Sequence, residues 1–229
     1  MRTSEWAQAG PGDPYVAKRE AMVENQIRRR GVKDDRVLHA MATVPRHEFV
    51  PTASRDLAYS DEPLGIGSGQ TISQPYIVAA MTAALKLAGS ERVLEIGSGC
   101  GYQSAVLALL AREVYAVELR SDLAQTAAER VRRLGFENVH VHCGDGSVGL
   151  KEFAPFDAIL VAAAAPTMPM PLLEQMSDGG RLIAPIGGDD HQRLMLITRH
   201  GGECTQEPRE HCRFVPLLGR HGWKLEEFL

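Results

Sequence analysis

Cysteine is scarce in this sequence, and no two cysteines stand in a paired motif. The four thiols belong to Cys100, Cys143, Cys204 and Cys212, with no Cys-x-x-Cys spacing, and the eight histidines include no His-Glu-x-x-His element. Such patterns are typical of disulfide-stapled domains and of zinc sites. Their absence argues against a secreted disulfide scaffold and predicts a reduced, cytoplasmic chain that needs no metal.

Long hydrophobic runs are missing as well. The longest, residues 158–165, has the length of a strand and is too short to cross a bilayer. Residues 1–14 are polar and lack the hydrophobic segment of a secretory signal. The formal net charge is -4 and the pI is about 6.1, so no overall positive field attracts nucleic acid or an anionic membrane. The sequence therefore predicts neither kind of partner.

What the sequence does contain is enough hydrophobic residues for one globular core. Of its 229 residues, 44% are hydrophobic and 24% are charged, values that fit a single domain. We interpret residues 1–15 as a flexible tail and residues 16–229 as the domain, which we expect to be a monomer.

The order of predicted elements indicates the fold class. Residues 16–30 and 34–43 have helical periodicity, with Gly31 as a helix stop between them. From residue 92 onward, short apolar strands alternate with amphipathic helices, which predicts a doubly wound α/β fold. We expect about seven strands in a mostly parallel sheet, with an antiparallel C-terminal hairpin and an N-terminal helical extension. The predicted strands are residues 92–96, 113–117, 139–143, 156–162, 181–185, 194–198 and 213–216.

A glycine-rich turn follows the first of these strands, with the sequence Glu-Ile-Gly-Ser-Gly-Cys-Gly-Tyr at residues 95–102. Glycine lets a backbone approach a ligand closely, so such a turn indicates a nucleotide-like cofactor. The dinucleotide fingerprint would need glycine at Tyr102, which disfavours NAD. The spacing instead resembles the loop that binds S-adenosylmethionine in Rossmann-like methyltransferases, although glycines in a tight turn can also serve packing alone. The candidate contacts are Glu95, Gly97, Ser98, Gly99 and Gly101.

Two further carboxylates follow the next two strands. Glu118 stands about 20 residues after the first glycine of the loop, where a carboxylate accepts hydrogen bonds from ribose hydroxyls. Asp145 closes the third strand together with Gly146 and Ser147, and it can accept the adenine amino group. A helix-start carboxylate and a plain Asp-Gly turn are the simpler interpretations of Glu118 and Asp145.

The most specific motif lies upstream, where residues 69–75 are Gly-Gln-Thr-Ile-Ser-Gln-Pro. This string resembles the signature of the protein-L-isoaspartate (D-aspartate) O-methyltransferase family. The similarity continues in the family's order over about residues 22–218. It includes Val-Pro-Arg-His-Glu-Phe-Val, the glycine loop, Ala-Pro-Phe-Asp-Ala-Ile and Arg-Phe-Val-Pro-Leu, at residues 44–50, 93–102, 154–159 and 213–217.

The resemblance implies a Rossmann-like methyltransferase fold and a protein-repair activity. The methyl group of S-adenosylmethionine would pass to the free carboxylate of an L-isoaspartyl or D-aspartyl residue in a damaged peptide or protein. The ester would then close to a succinimide that can reopen to normal aspartate. The corresponding division of the chain is a helical and active-site segment, a cofactor-binding core and C-terminal strands, at residues 16–72, 73–190 and 191–229.

The resemblance also assigns roles to particular residues. Ser73 matches the active-site serine, and Gln70, Thr71 and Ile72, with Ser73 itself, match the family's cofactor contacts. Ala164 and Val215 correspond to substrate contacts. The loop at residues 162–166, Ala-Ala-Ala-Ala-Pro, departs from the family because threonine often stands before Ala-Ala-Pro there.

The chemistry that the resemblance implies requires the reacting groups to be positioned and does not require a general base. A carboxylate is ionised at neutral pH and can attack a sulfonium methyl directly. A serine hydroxyl can orient that anion through one hydrogen bond. Ser73 also fits a second interpretation, as the N-cap of a helix that begins at Gln74, because apolar residues follow at helical spacing.

Three other functions stay open from the sequence alone. A methyltransferase of the same fold could act on another peptide carboxylate, and only substrate tests separate it. A nucleotide-binding oxidoreductase is disfavoured by Tyr102. A module that binds the cofactor without turnover is disfavoured by the intact Ser73 and glycine loop, since fold alone does not settle function.

Overall fold

The computed structural model describes residues 13–188 and 191–224. Most of the predicted tail, residues 1–15, lies outside these residues. Tyr15, however, is packed against the domain, because its ring stacks on that of His47 with 4.1 Å between centroids. Tyr15, the last residue of the predicted tail, therefore contacts the domain, and the division at residue 15 stays a prediction.

Helices form the N-terminal extension, as predicted. The first helix ends at Gly31, the predicted stop, and the side chain of Asp34 caps the second by accepting hydrogen bonds from two backbone N–H groups. No helix among the described residues is long and apolar enough to span a membrane. The elements are α1 (Val16–Met22), which continues as a π-helical turn (Val23–Ile27) and a 3-10 turn (Arg28–Arg30), α2 (Asp35–Thr43), and 3-10 turns at Arg46–Phe49 and Thr52–Leu57.

A small antiparallel hairpin follows, which the sequence pattern does not predict. Its strands are β1 (Leu64–Gly67) and β2 (Gln70–Ile72). Ser68 and Gly69 form the turn with φ values of 49° and 68°, the left-handed pair that suits a two-residue hairpin. The hairpin carries the Gln-Thr-Ile-Ser motif to the edge of the main sheet.

The main sheet has seven strands in the order β5-β4-β3-β6-β7-β8-β9. The strands are β3 (Arg92–Ile96), β4 (Glu113–Glu118), β5 (Val139–Cys143), β6 (Phe156–Val161), β7 (Met176–Gly187), β8 (Gln192–His200) and β9 (Glu203–Cys212). The neighbouring strands from β5 through β4, β3 and β6 to β7 pair in parallel, whereas β8 pairs antiparallel with both β7 and β9. The helices are α3 (Pro75–Leu85), α4 (Tyr102–Ala108), α5 (Ser121–Arg133) and α6 (Met170–Glu174). This is the predicted doubly wound α/β architecture.

Side chains of the central strands enter two hydrophobic layers, one on each face of the sheet. Along β6, Ala158 and Leu160 join the larger cluster, and Ile159 and Val161 join the smaller one. Residues of α1 to α4 complete the larger cluster, and Leu172 of α6 belongs to the smaller. Because both faces are covered, β3 and β6 are buried nearly throughout, which explains their mainly apolar sequences.

The prediction of a last strand at residues 213–216 is wrong. These residues form no strand, and Pro216 makes only an isolated bridge to Ala164. The final strand is the preceding segment, β9, whose side chains are almost all exposed. Its backbone pairing with β8 holds it at the sheet edge. A charged edge strand of this kind has no hydrophobic alternation from which it could be predicted.

Candidate active site

Three connected cavities open at the carboxyl edge of the parallel strands. The widest, here called the cleft, has a volume of about 950 Å³, and a narrow channel and a narrow slot adjoin it. Thr71 and Ala162 line all three, so the cavities meet at these residues. At this edge the chain leaves β3 for a crossover to β4 on one side, whereas β6, on the other side of β3, is reached by a later crossover in the opposite direction. Ligands of doubly wound sheets bind at such a switch point.

The slot is lined by six of the thirteen predicted cofactor residues. Its walls combine backbone of the glycine loop with one carboxylate and several apolar side chains, a lining that suits a nucleoside. Ile72 and Ser98 lie instead on the channel between slot and cleft. The predicted residues that line the slot are Gln70, Thr71, Gly97, Gly99, Glu118 and Gly146.

Glu118 fastens the glycine loop to the end of β4. Its side chain accepts hydrogen bonds from the backbone N–H groups of Gly99, at 2.8 Å, and Arg120, at 3.0 Å. Gly99 has a φ of 53°, which favours glycine. Glu118 is only 6% exposed, so its interpretation as a solvated helix-start carboxylate is wrong. Each carboxylate oxygen retains a second lone pair that can accept a ligand hydroxyl.

Glu95 lies beneath the loop and lines none of the three cavities. Its side chain is fully buried, and it accepts a hydrogen bond from Ser104 while its Oε1 has no partner among the described residues. Burial raises the pKa of Glu95 to about 7, and the charge of Glu118 acts in the same direction. Its predicted cofactor contact stays a prediction.

This shift leads to a prediction about stability and pH. Since the folded protein binds a proton at Glu95 more tightly than the unfolded chain does, Glu95 stabilises the fold at low pH. That contribution is lost as the pH rises from the ordinary value of 4.5 towards 7. Between pH 5 and pH 8, Glu95→Gln should lose about 2 to 3 kcal/mol less unfolding free energy than the natural chain. Urea unfolding across this range measures the difference, with the exposed Glu137→Gln as control. Parallel curves for Glu95→Gln and the natural chain would contradict the assignment.

Asp145 and Ser147 bind the chain itself. Asp145 accepts hydrogen bonds from the backbone N–H and the hydroxyl of Ser147, at 2.9 and 2.6 Å, and from the N–H of Arg220 at 2.8 Å. The Ser147 hydroxyl also accepts a hydrogen bond from the His221 N–H at 2.9 Å. The pair thus anchors the C-terminal segment, and Leu217 of that segment lines the slot. The contact of Asp145 with an adenine amino group stays a prediction.

Two of the candidate glycines have distinguishable roles. Gly146 lines the slot, and a Cβ there would lie 2.5 Å from a methyl carbon of Ile96, so no side chain fits. Gly101 lines none of the three cavities, and a Cβ there would lie 3.1 Å from Val131 of α5. Packing alone therefore accounts for Gly101 in this structure.

Ser73 lines both the cleft and the channel. Its hydroxyl has no hydrogen-bond partner within residues 13–188 and 191–224. The N-cap interpretation is wrong, because Gln74 is the N-cap, its side chain makes no cap hydrogen bond, and α3 begins at Pro75. In the first turn, the backbone N–H of Tyr76 donates instead to the Asp61 carboxylate at 3.3 Å. The hydroxyl is therefore available to a ligand at the junction of cleft and channel.

Charged and aromatic side chains surround the mouth of the cleft. The guanidinium of Arg30 lies 3.5 Å from the ring centroid of Tyr76 and forms an ion pair with Asp61. The Tyr76 hydroxyl donates a hydrogen bond to Glu210 at 3.2 Å. These contacts join the N-terminal extension, α3 and β9. Arg213, exposed on the same wall, adds a cation.

Cys212, a potential nucleophile, also lines the cleft. Burial raises the pKa of the Cys212 thiol to about 11, so it is protonated at neutral pH and is a poor nucleophile. In the part of the chain that the structure describes, no cluster of three His, Cys, Asp or Glu side chains is arranged to hold a metal ion.

The two predicted substrate residues lie in different surroundings. Val215 lines both cleft and slot, and its carbonyl accepts a hydrogen bond from the Ala164 N–H at 2.8 Å. Ala164 is buried and lines none of the three cavities, and its carbonyl accepts a hydrogen bond from the Trp223 indole. Ala162 and Phe214, which line the channel and the cleft, are not predicted by the sequence. Both lie in segments that the family resemblance marks, residues 162–166 and 213–217, but only the fold shows that these two side chains reach the site.

Known proteins are similar to this chain in sequence and in architecture. The family model Protein-L-isoaspartate(D-aspartate) O-methyltransferase matches residues 17–222. A Protein-L-isoaspartate O-methyltransferase of Roseiflexus castenholzii is 51% identical over 214 residues, covering 93% of this chain and 98% of the relative. Its namesake in Methanoculleus marisnigri is 50% identical over 214 residues, covering 93% of this chain and 97% of that protein.

Solved structures agree. A protein-L-isoaspartate O-methyltransferase superposes with a TM-score of 0.80 and 31% identity over 89% of this chain and 67% of that one. A Plasmodium falciparum chain described by the same activity, in complex with S-adenosyl-L-homocysteine, gives a TM-score of 0.77 and 28% identity, over 87% of this chain and 98% of that chain. With a family model over nearly its whole length and relatives that share half of its residues, the chain belongs to the protein-L-isoaspartate(D-aspartate) O-methyltransferase family.

Proposed function

We propose that the protein transfers the methyl group of S-adenosylmethionine to the free carboxylate of L-isoaspartyl residues, and of D-aspartyl residues, in damaged proteins. The observation that carries this proposal is the meeting of slot, channel and cleft at Thr71, two residues before Ser73. A nucleoside-sized ligand and a peptide can approach one another only where such cavities join. The methyl ester then closes to a succinimide, which starts repair.

The residues around the slot fit S-adenosylmethionine. The Ser98 hydroxyl is buried on the channel without a partner among the described residues, as expected of a group that awaits a polar ligand. Glu118 would accept hydrogen bonds from the ribose hydroxyls, and the glycine loop would contact the methionine part. Gln70, Thr71 and Ile72 would close the other side.

The chain's part in the reaction is to bind and orient. S-adenosylmethionine, when bound, would supply an electrophilic methyl carbon, which would pass to the carboxylate oxygen as the carbon–sulfur bond breaks, leaving S-adenosylhomocysteine. No proton moves, so no residue has to act as a base. The Ser73 hydroxyl would donate a hydrogen bond to the carboxylate and direct its second oxygen. Ala162 and Phe214 would exclude water from that point.

We also propose that the reaction takes place in the cytoplasm. The four cysteines are free thiols, in keeping with a cytoplasmic chain. We propose a monomer that acts on proteins and has no nucleic-acid partner, with residues 73–190 as its cofactor-binding core.

Paired peptides that differ only in aspartyl or isoaspartyl linkage test this function. Methyl transfer from labelled S-adenosylmethionine should occur with the isoaspartyl peptide and not with its aspartyl twin. EDTA should leave the rate unchanged, because an ionised carboxylate needs no Lewis acid to attack. Equal labelling of both peptides would indicate another peptide carboxylate as the substrate. Loss of activity with EDTA, restored by zinc or magnesium, would overturn the metal-free chemistry.

A further inference from the structure

Arg46 is a buried cation directly beneath the active-site segment. Its residue is 0% exposed, although arginine is rarely buried without a partner. Nε donates a hydrogen bond to the carbonyl of Ala58 at 2.7 Å, and Nη2 donates one to the carbonyl of Ser73 at 2.8 Å. One guanidinium thus ties the 3-10 turn at Arg46–Phe49 to the junction between β2 and α3.

No carboxylate balances this charge among the described residues. Nη1 is buried without a hydrogen-bond acceptor, and the guanidinium carbon lies 4.8 Å from the ring centroid of Tyr102. The polar groups that influence Arg46 are Tyr102, Cys100 and Tyr59, all neutral at physiological pH, since burial raises the pKa of each. Burying a cation with carbonyl and tyrosine partners but no carboxylate is costly. A cost of this kind suggests that the cation has a role at Ser73 beyond stabilising the fold.

A second buried arginine in the same layer shows the contrast. Arg19 is 5% exposed and donates to the carbonyl of Ala42 and to Tyr59, but it also forms an ion pair with Asp13 at 3.3 Å. Its partners hold the N-terminal segment and none of them lines a cavity of the site. Arg19 and Arg46 are thus both buried, but only Arg46 contacts Ser73, so comparing their variants separates the effect of burial from the effect of that contact.

We propose that Arg46 is a positioning residue for carboxyl methylation, which holds the Ser73 backbone from beneath so that the Ser73 hydroxyl meets the substrate carboxylate. This inference rests on the proposed function. The uncompensated charge of Arg46 adds an attraction for an anionic substrate, which the repaired carboxylate supplies. The hydrogen bond from Arg46 holds the Ser73 carbonyl, while the Ser73 hydroxyl has no partner among the described residues and stays available to the substrate.

The test is a double-mutant cycle on isoaspartyl peptide at saturating cofactor. Arg46→Lys keeps the charge and loses the two-carbonyl bridge, and it should lower kcat/KM about tenfold. In the double variant with Ser73→Ala, the rate should equal that of Ser73→Ala alone within about threefold, because Arg46 acts through that hydroxyl. Arg46→Met, which also removes the charge, should raise the peptide KM further and leave the affinity for S-adenosylhomocysteine within about threefold.

Arg19→Lys and Arg19→Met are the matched controls. They should destabilise the fold comparably in urea and leave the kinetics near those of the natural chain. If the Arg46 variants lose activity only as the Arg19 variants do, or if the losses from Arg46→Lys and Ser73→Ala multiply, Arg46 is structural and the inference fails. Should Arg46→Met not fold, Arg46→Lys alone decides. Failure of the natural chain to methylate the isoaspartyl peptide would instead sink the proposed function.

Discussion

Replacement of Ser73 by alanine is expected to slow methyl transfer about ten- to a hundredfold at saturating cofactor, with unfolding free energy changed by no more than about 0.5 kcal/mol. The hydroxyl is half-exposed at the junction of cleft and channel and bonds to no described residue. Its removal therefore breaks no contact of the fold. It removes one oriented hydrogen bond to the substrate carboxylate, which is worth most when the oxygen and the methyl carbon are aligned.

Single-turnover kinetics on an isoaspartyl peptide, together with urea midpoints, measure both effects. Ser73→Gly should behave like alanine in rate. Ser73→Thr should recover part of it, because the hydroxyl returns while the added methyl restricts the rotamer. The exposed Ser90→Ala is a control for a serine outside the site. A rate that stays flat across the series would show that Ser73 is not a catalytic residue.

Glu118→Ala is expected to weaken cofactor binding by about 1.5 to 3 kcal/mol, or roughly ten- to a hundredfold. The substitution removes the acceptor for ribose hydroxyls and also leaves the Gly99 N–H without its partner, so the glycine loop loosens. Because Glu118 is buried, the fold should lose about 1 to 3 kcal/mol as well, which an exposed strand-end carboxylate would not cost.

Calorimetric titration with S-adenosylhomocysteine measures the affinity, and denaturant unfolding measures the cost to the fold. The affinity and stability of Glu118→Gln should fall between those of the natural chain and of Glu118→Ala. The amide keeps one acceptor oxygen, but its NH2 group faces the other backbone N–H. Glu113→Ala, at the opposite end of β4 and half-exposed, should change neither value appreciably. Unchanged affinity in a folded Glu118→Ala protein would remove Glu118 from the cofactor site.

The parts of the fold that could be predicted are those whose signal is local. A parallel strand covered on both faces is a short apolar run, so β3, β4 and β6 are evident in the sequence. The glycine loop follows β3 directly, so its position is also evident in the sequence. The edge strand β9 has no such signal, because its stability comes from backbone pairing with β8 and not from its own side chains.

The site was predictable only where one motif contains several of its residues. Residues 70–73 line the slot, channel and cleft because they are consecutive along β2 and the turn after it. Arg46, Ala162 and Phe214 come from three distant segments, so their proximity to Ser73 follows from packing alone. The same holds for the burial of Glu118, since neighbouring strands and not its own sequence exclude water from it.

The sequence by itself determined the family, the parallel core and the position of the active-site motif, because each depends on residue order within a short segment. Only the tertiary structure decided that Ser73 leaves its hydroxyl free rather than capping α3, that Asp145 and Ser147 hold the C-terminal segment, and that a buried arginine without a described carboxylate partner lies beneath the serine. Hydrogen-bond partners and burial depend on segments far apart in the chain, and no local pattern specifies which of them will meet.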